Sequence, residues 1–179
     1  MLKRLTILFI VFISLTLGGC ISAGGGFQTY VNTAKGYEFI YPNGWTEVKV
    51  SDGPDVVFHD MIEQTENVSV VISPAPDDTS LETLGTPSEV GYKLSKNAIA
   101  PPGSGREAEL INAESREAGD KTYYLLEYAV KLPNQNRHDF ASVAISRGKL
   151  FTINASATEK RWEKMHDLLE QSIRSFRVY

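Results

Sequence analysis

The stretch Lys121 to Val130, KTYYLLEYAV, decides how this chain folds. Tyr124, Leu126, Tyr128 and Val130 recur at every second position, so they fall on one face of an extended strand, and the aromatic and β-branched content favours that conformation. Turn residues flank it on both sides: Ala118-Gly119-Asp120 before it and Pro133-Asn134-Gln135-Asn136 after it, with a further turn at Arg147-Gly148. From Arg106 onward this spacing predicts a meander of antiparallel strands.

Upstream, KGYEFIYPNGWTEVKV (residues 35–50) reads as strand, tight turn, strand. Tyr37, Phe39 and Tyr41 share one face, Pro42-Asn43-Gly44 makes the turn, and Trp45 opens the second strand. Asp55 to His59 and Asn67 to Ser73 are further short β-branched runs, the second ended by Pro74 and Pro76. Two helices carry start signals. Thr86-Pro87-Ser88-Glu89 supplies a capping box with proline at the first helical position, Val90, Leu94 and Ala98 follow on one stripe, and Pro101-Pro102 bounds the helix. Ser156-Ala157-Thr158-Glu159 repeats the box pattern, and Trp162, Met165, Leu169, Ile173 and Phe176 then form an apolar stripe at helical spacing. Grouped strands with few helices, without regular βαβ alternation, predict an α+β sandwich around an antiparallel sheet, sealed by the last helix.

The N-terminus reads differently. Leu5 to Leu17 is an uncharged run of thirteen residues behind Lys3 and Arg4, shorter than the roughly 20 apolar residues of a membrane-spanning helix. A basic start, an apolar core and small residues describe a secretory signal over residues 1–19. Leu17-Gly18-Gly19-Cys20 resembles a lipobox, which makes Cys20, the only cysteine, the expected lipid attachment site. Residues 20–26 then form a glycine-rich tether, and residues 27–179 a single domain. With Lys3 and Arg4 removed, the 18 basic residues fall to 16 against 22 acidic ones, a net charge of −6, which disfavours nucleic acid as a partner. With one cysteine no internal disulfide is expected, and a domain of this length needs none.

No G-x-S-x-G, H-E-x-x-H, C-x-x-C or P-loop occurs, so spacing nominates no catalytic residue. His59-Asp60 and His138-Asp139 each set an imidazole beside a carboxylate, and Glu63 or Glu66 extends the first toward an exposed divalent-metal site. Neighbouring strand residues point to opposite faces, so neither dyad is a ready chelate. His166 reads as a flank of the helical stripe, and Arg161-Trp162 as a packed indole with a snorkelling guanidinium. Tyr123, Tyr124 and Tyr128 read first as strand formers, and the acidic tract Glu107 to Asp120 as a solvated edge.

Several separated strings together resemble the PsbP family, in its cyanobacterial lipoprotein branch. They are GYEFIYPNGW (36–45), DVVFHDMIEQTENVSVVISP (55–74), LGTPSEVGYKL (84–94), KTYYLLEYAV (121–130), RHDFASVAISRGKLFTINASATEKRW (137–162) and SFRVY (175–179). The resemblance implies an α-β-α sandwich around a central antiparallel β-sheet. It implies a non-enzymatic, lipid-anchored extrinsic protein on the lumenal side of the thylakoid membrane, a monomer that binds photosystem II core or assembly-intermediate subunits and aids assembly or stability. Plant PsbP carries a longer N-terminal segment linked to calcium and chloride retention; before Phe27 this chain has only the anchor and tether, which favours the assembly role. No cofactor is expected. The alternative expectation is a metal- or small-ligand-binding lipoprotein that delivers manganese or calcium to the oxygen-evolving complex or retains it there, with His59 and His138 as surface ligands for a divalent ion such as zinc, manganese or calcium.

Overall fold

In the computed structural model, which describes residues 26–179, the strand that opened the sequence reading is buried on both faces. The strands are β1 (Phe27–Asn32), β2 (Tyr37–Pro42), β3 (Thr46–Val48), β4 (Val56–His59), β5 (Asn67–Pro74), β6 (Glu107–Ala118), β7 (Lys121–Lys131), β8 (Asn136–Ser146), β9 (Lys149–Thr158) and β10 (Arg177–Val178). The helices are α1 (Leu81–Leu84), α2 (Pro87–Leu94) and α3 (Glu159–Ser175), with a wider π turn at Ser95–Ile99 after α2. Strands β3-β4-β5-β9-β8-β7-β6, all antiparallel, form a seven-stranded sheet, and β1-β2-β10 a three-stranded one.

On β7, Tyr124, Leu126, Tyr128 and Val130 pack with Leu81, Val90, Ala141 and Val143 beneath α1 and α2. Tyr123 and Leu125 point the other way and join Met165, Leu169, Ile173 and Phe176 of the α3 layer. This two-sided cover is the predicted α-β-α sandwich. Gly91 allows α2 to sit close to the sheet: a Cβ there would meet both Leu110 methyls at 2.9 Å. The β8–β9 turn has Arg147 at φ 51° and Gly148 at φ 66°, the pair of positive φ values of a type I′ hairpin.

Pro42-Asn43-Gly44 turns the chain between two strands as expected, with the Trp45 N–H bonded to the Pro42 carbonyl at 3.2 Å, and those strands enter different sheets. The reason is aromatic: Tyr30, Phe39 and Tyr41 pack against Phe58 of β4, with Tyr41 and Phe58 stacked at 3.9 Å, and this holds the small sheet across the larger one. The capping box at Ser156 does not form. Ser156 lies in β9 and gives its hydroxyl to Asp139, while the N-cap of α3 is Thr158, with no side-chain bond. On the first helix side, the π turn rotates the stripe by one residue, so Ala98 is exposed and Ile99 packs inward instead.

Arg161 does not snorkel either. Glu66, fully buried, receives its guanidinium on both carboxylate oxygens. The Arg137 guanidinium donates to the neighbouring Thr65 carbonyl, so two arginines tie the β4–β5 loop to α3 and β8. Removing one partner of a buried pair strands the other charge, which costs several kcal/mol. Arg161→Met is therefore expected to destabilise the domain by about 3 kcal/mol in urea titration; a loss below about 1 kcal/mol, the range of a surface pair, contradicts the assignment.

Candidate functional site: the His138 cleft

Antiparallel pairing sets His138 of β8 beside Ala129 of β7 and Ala157 of β9. On that face of the sheet the start of α3 crosses overhead, and the Trp162 indole lies flat on the His138 ring, centroids 3.9 Å apart and planes 7° from parallel. The imidazole is nearly buried. Its Nε2 is 2.7 Å from Glu127 Oε1, and its Nδ1 is 3.4 Å from Glu159 Oε2. Two carboxylates thus flank one ring. On the outer edge of Trp162, His166 packs edge-on at 5.3 Å, and His166 Nδ1 is 3.0 Å from Asp167 Oδ1 and 4.0 Å from Glu170 Oε2.

His138 and Glu159 form one wall of an open cleft of about 590 Å³, whose rim also carries Lys96, Arg106, Glu109 and Lys131. Behind it, on the opposite face of the sheet, Asp139 accepts the Ser156 hydroxyl, and Arg137 donates to the same hydroxyl oxygen at 2.9 Å. Burial pushes the Asp139 carboxyl above its usual range, against the opposing pull of Ser156 and Arg137. Among the described residues no histidine is hydrogen-bonded to a serine or threonine hydroxyl, so an imidazole-activated hydroxyl nucleophile of the kind acyl transfer uses is not assembled there. The chemistry on offer is that of ion pairing, hydrogen bonding and divalent-cation ligation. His166, Asp167 and Glu170 bring one ligand atom each within 4.8 Å of one another.

This sequence and this fold have counterparts. The family model for PsbP matches residues 25–178, all but the last of the described residues. The chain belongs to the PsbP family. It is 51% identical over 184 residues to CyanoP of Thermosynechococcus vestitus, and 45% identical over 188 residues to CyanoP of Synechocystis sp., with each chain covered in full. The solution structure of cyanobacterial PsbP (CyanoP) from Synechocystis sp. PCC 6803 is similar, at a TM-score of 0.74 and 46% identity, covering 92% of this chain and 99% of that one.

Set on this PsbP-family fold, the residues singled out in the sequence part company. Cys20 lies outside the described residues. His59 sits at the end of β4 with its buried Nδ1 unpaired, but Glu66 is taken by Arg161 and Asp60 by backbone N–H groups of its own loop. Among the described residues, the alternative exposed metal site of His59 with Glu63 or Glu66 is not brought together. His138 and Asp139 do separate to opposite faces; the carboxylates that reach His138 are Glu127 and Glu159, which sequence reasoning missed. The spacing of His166, Asp167 and Glu170 on one helix, at i, i+1 and i+4, was a usable signal. Tyr123, Tyr124 and Tyr128 are buried and act as struts: Tyr124 and Tyr128 donate to the Gly85 and Gly91 carbonyls at 3.0 and 3.1 Å, and Tyr123 accepts the Val178 N–H at 3.1 Å. The acidic tract is the outer edge strand β6, as expected, and a register slip between Leu110 and Asn112 irregularises that edge, a device that discourages further strand pairing.

His138→Ala removes the surface on which Trp162 stacks and leaves two carboxylates without their shared partner. The expected outcome is a loss of about 2 kcal/mol, seen as a melting temperature lower by about 4–8 °C and a red-shifted Trp162 emission. An unchanged melting temperature contradicts the stack's structural role.

Proposed function

We propose that this protein is a non-enzymatic accessory of photosystem II, held by lipid at Cys20 on the lumenal side of a cyanobacterial thylakoid membrane, where it aids assembly or stability of the complex. The observation that carries this reading is the likeness to CyanoP over the full length of both chains, at about half identity. The make-up of the open cleft supports it: His138 and Glu159 on its wall, with Lys96, Arg106, Glu109 and Lys131 around them, offer hydrogen-bonding and charged groups of both signs that suit recognition by complementarity. Lipid attachment makes modest affinity sufficient, since a short tether confines the domain near membrane-bound partners at an effective concentration in the millimolar range.

Affinity isolation of the tagged, full-length protein from gently solubilised thylakoids tests the reading. Photosystem II core or assembly-intermediate subunits are expected in the eluate and absent from an untagged control; an eluate free of them would overturn it.

A further inference from the structure

The two most exposed large apolar side chains among the described residues are neighbours. Met61 is 68% exposed and Ile62 89%, and both sit at the tip of the β4–β5 loop, residues 60–66. The loop is built to hold them out. Asp60 Oδ1 accepts the Ile62 and Glu63 N–H groups at 2.7 and 2.8 Å, the Glu66 N–H reaches the Glu63 carbonyl at 2.7 Å, and the Asp60 N–H reaches the Glu66 carbonyl at 3.1 Å. Its flanking carboxylates are turned inward: Glu66 is buried against Arg161, and Asp60 is held below its usual range by those loop N–H groups together with Trp45 and Arg161. With the Asp60, Ile62, Glu63 and Glu66 N–H groups bonded within the loop, the cost of bringing the apolar tip against a low-dielectric medium is reduced, while Gln64 and Thr65 stay exposed, at the depth of the polar headgroups.

The loop's position identifies that medium. The chain enters the domain at Gly26, whose carbonyl accepts the Asn43 N–H at 2.8 Å. Two residues on, Trp45 comes close enough to Asp60 to help hold its carboxyl below the usual range, and Thr46 pairs with His59 at the base of the loop. Gly26 and the tip therefore lie at the same end of the molecule. At the opposite end of the strands, the Tyr179 N–H meets the Gly36 carbonyl and the Ala75 N–H meets the Gly148 carbonyl. Cys20 is six residues before Gly26, within about 20 Å at ~3.3 Å per residue.

We propose that the β4–β5 loop is a membrane-contact element, seating Met61 and Ile62 in the bilayer interface beside the lipid on Cys20 and orienting the domain with that end down. The occupant is a lipid surface and not a protein: two side chains on a narrow tip fall far short of the roughly 1,000 Å² that a specific protein interface buries, whereas an already anchored domain gains orientation from a small apolar insertion. The proposal rests on the reading of Cys20 as lipidated.

The test uses full-length Ile62→Trp and Tyr179→Trp proteins, both changes at exposed side chains, in dioleoylphosphatidylcholine vesicles with or without a bromine-labelled acyl chain. Trp45 and Trp162 contribute equally to both. The extra emission of Ile62→Trp is expected to lie at shorter wavelength and to be lost in brominated vesicles, while that of Tyr179→Trp is not. Equal extra emission and equal quenching of the two in vesicle-bound protein would overturn the proposal. Failure of the anchor is read separately, as protein left in the supernatant on sedimentation; the same two variants are then coupled through the free Cys20 thiol to a maleimide-bearing lipid, and the quenching contrast decides the loop's role on its own.

Discussion

A β-strand that is apolar on both faces has to be covered twice, and β7 imposes that requirement on the whole domain. Leu126 and Tyr128 on one side and Tyr123 and Leu125 on the other are all essentially inaccessible. At about 25 cal/mol per Å² of apolar surface, exposing either row costs more than any surface ion pair returns. One cover is α1 with α2, closely seated at Gly91 and pinned by the hydroxyls of Tyr124 and Tyr128. The other is α3 with the three-stranded sheet, closed when β10 pairs with β2 and the Val178 N–H reaches Tyr123.

The polar features follow from where α3 is forced to lie. Its first two turns cross the end of β8, which sets Trp162 on His138 and brings Arg161 to Glu66. A charge pair of this kind does not drive folding, because desolvation offsets most of its attraction. What it does is couple places: Arg161 belongs to the helix, Glu66 to the β4–β5 loop and Arg137 to β8, so the loop's geometry is inherited from the core and not left to a flexible surface turn. The His138 cleft and the Met61–Ile62 tip are thus two outlets of the same packing.

Much of this was legible in the order of residues. Alternation along β7, the turn pairs around it, the Thr86 box and the Trp162-to-Phe176 stripe are local signals, and each reads correctly because its physical cause acts within one element. The misses share one property: they depend on partners far along the chain. Ser156 looked like a cap because its sequence neighbours suit one, yet β9 continues through it, drawn by pairing with β5 and β8. The strand-turn-strand pattern around Gly44 said nothing of which sheet the second strand joins, and that choice goes with the packing of Phe58, far along the chain from β2. Half of the His138 surroundings was hidden for the same reason, since Glu127 reaches the ring only through cross-strand register.

On the proposed reading, the Met61–Ile62 end of this domain faces the membrane and the remainder is left to a lumenal partner. Cross-linking mass spectrometry of the full-length protein in intact thylakoid membranes tests that claim most directly. The account predicts links from the domain's lysines to lumenal segments of photosystem II core or assembly-intermediate subunits. A reproducible link map that contains none of them would contradict it.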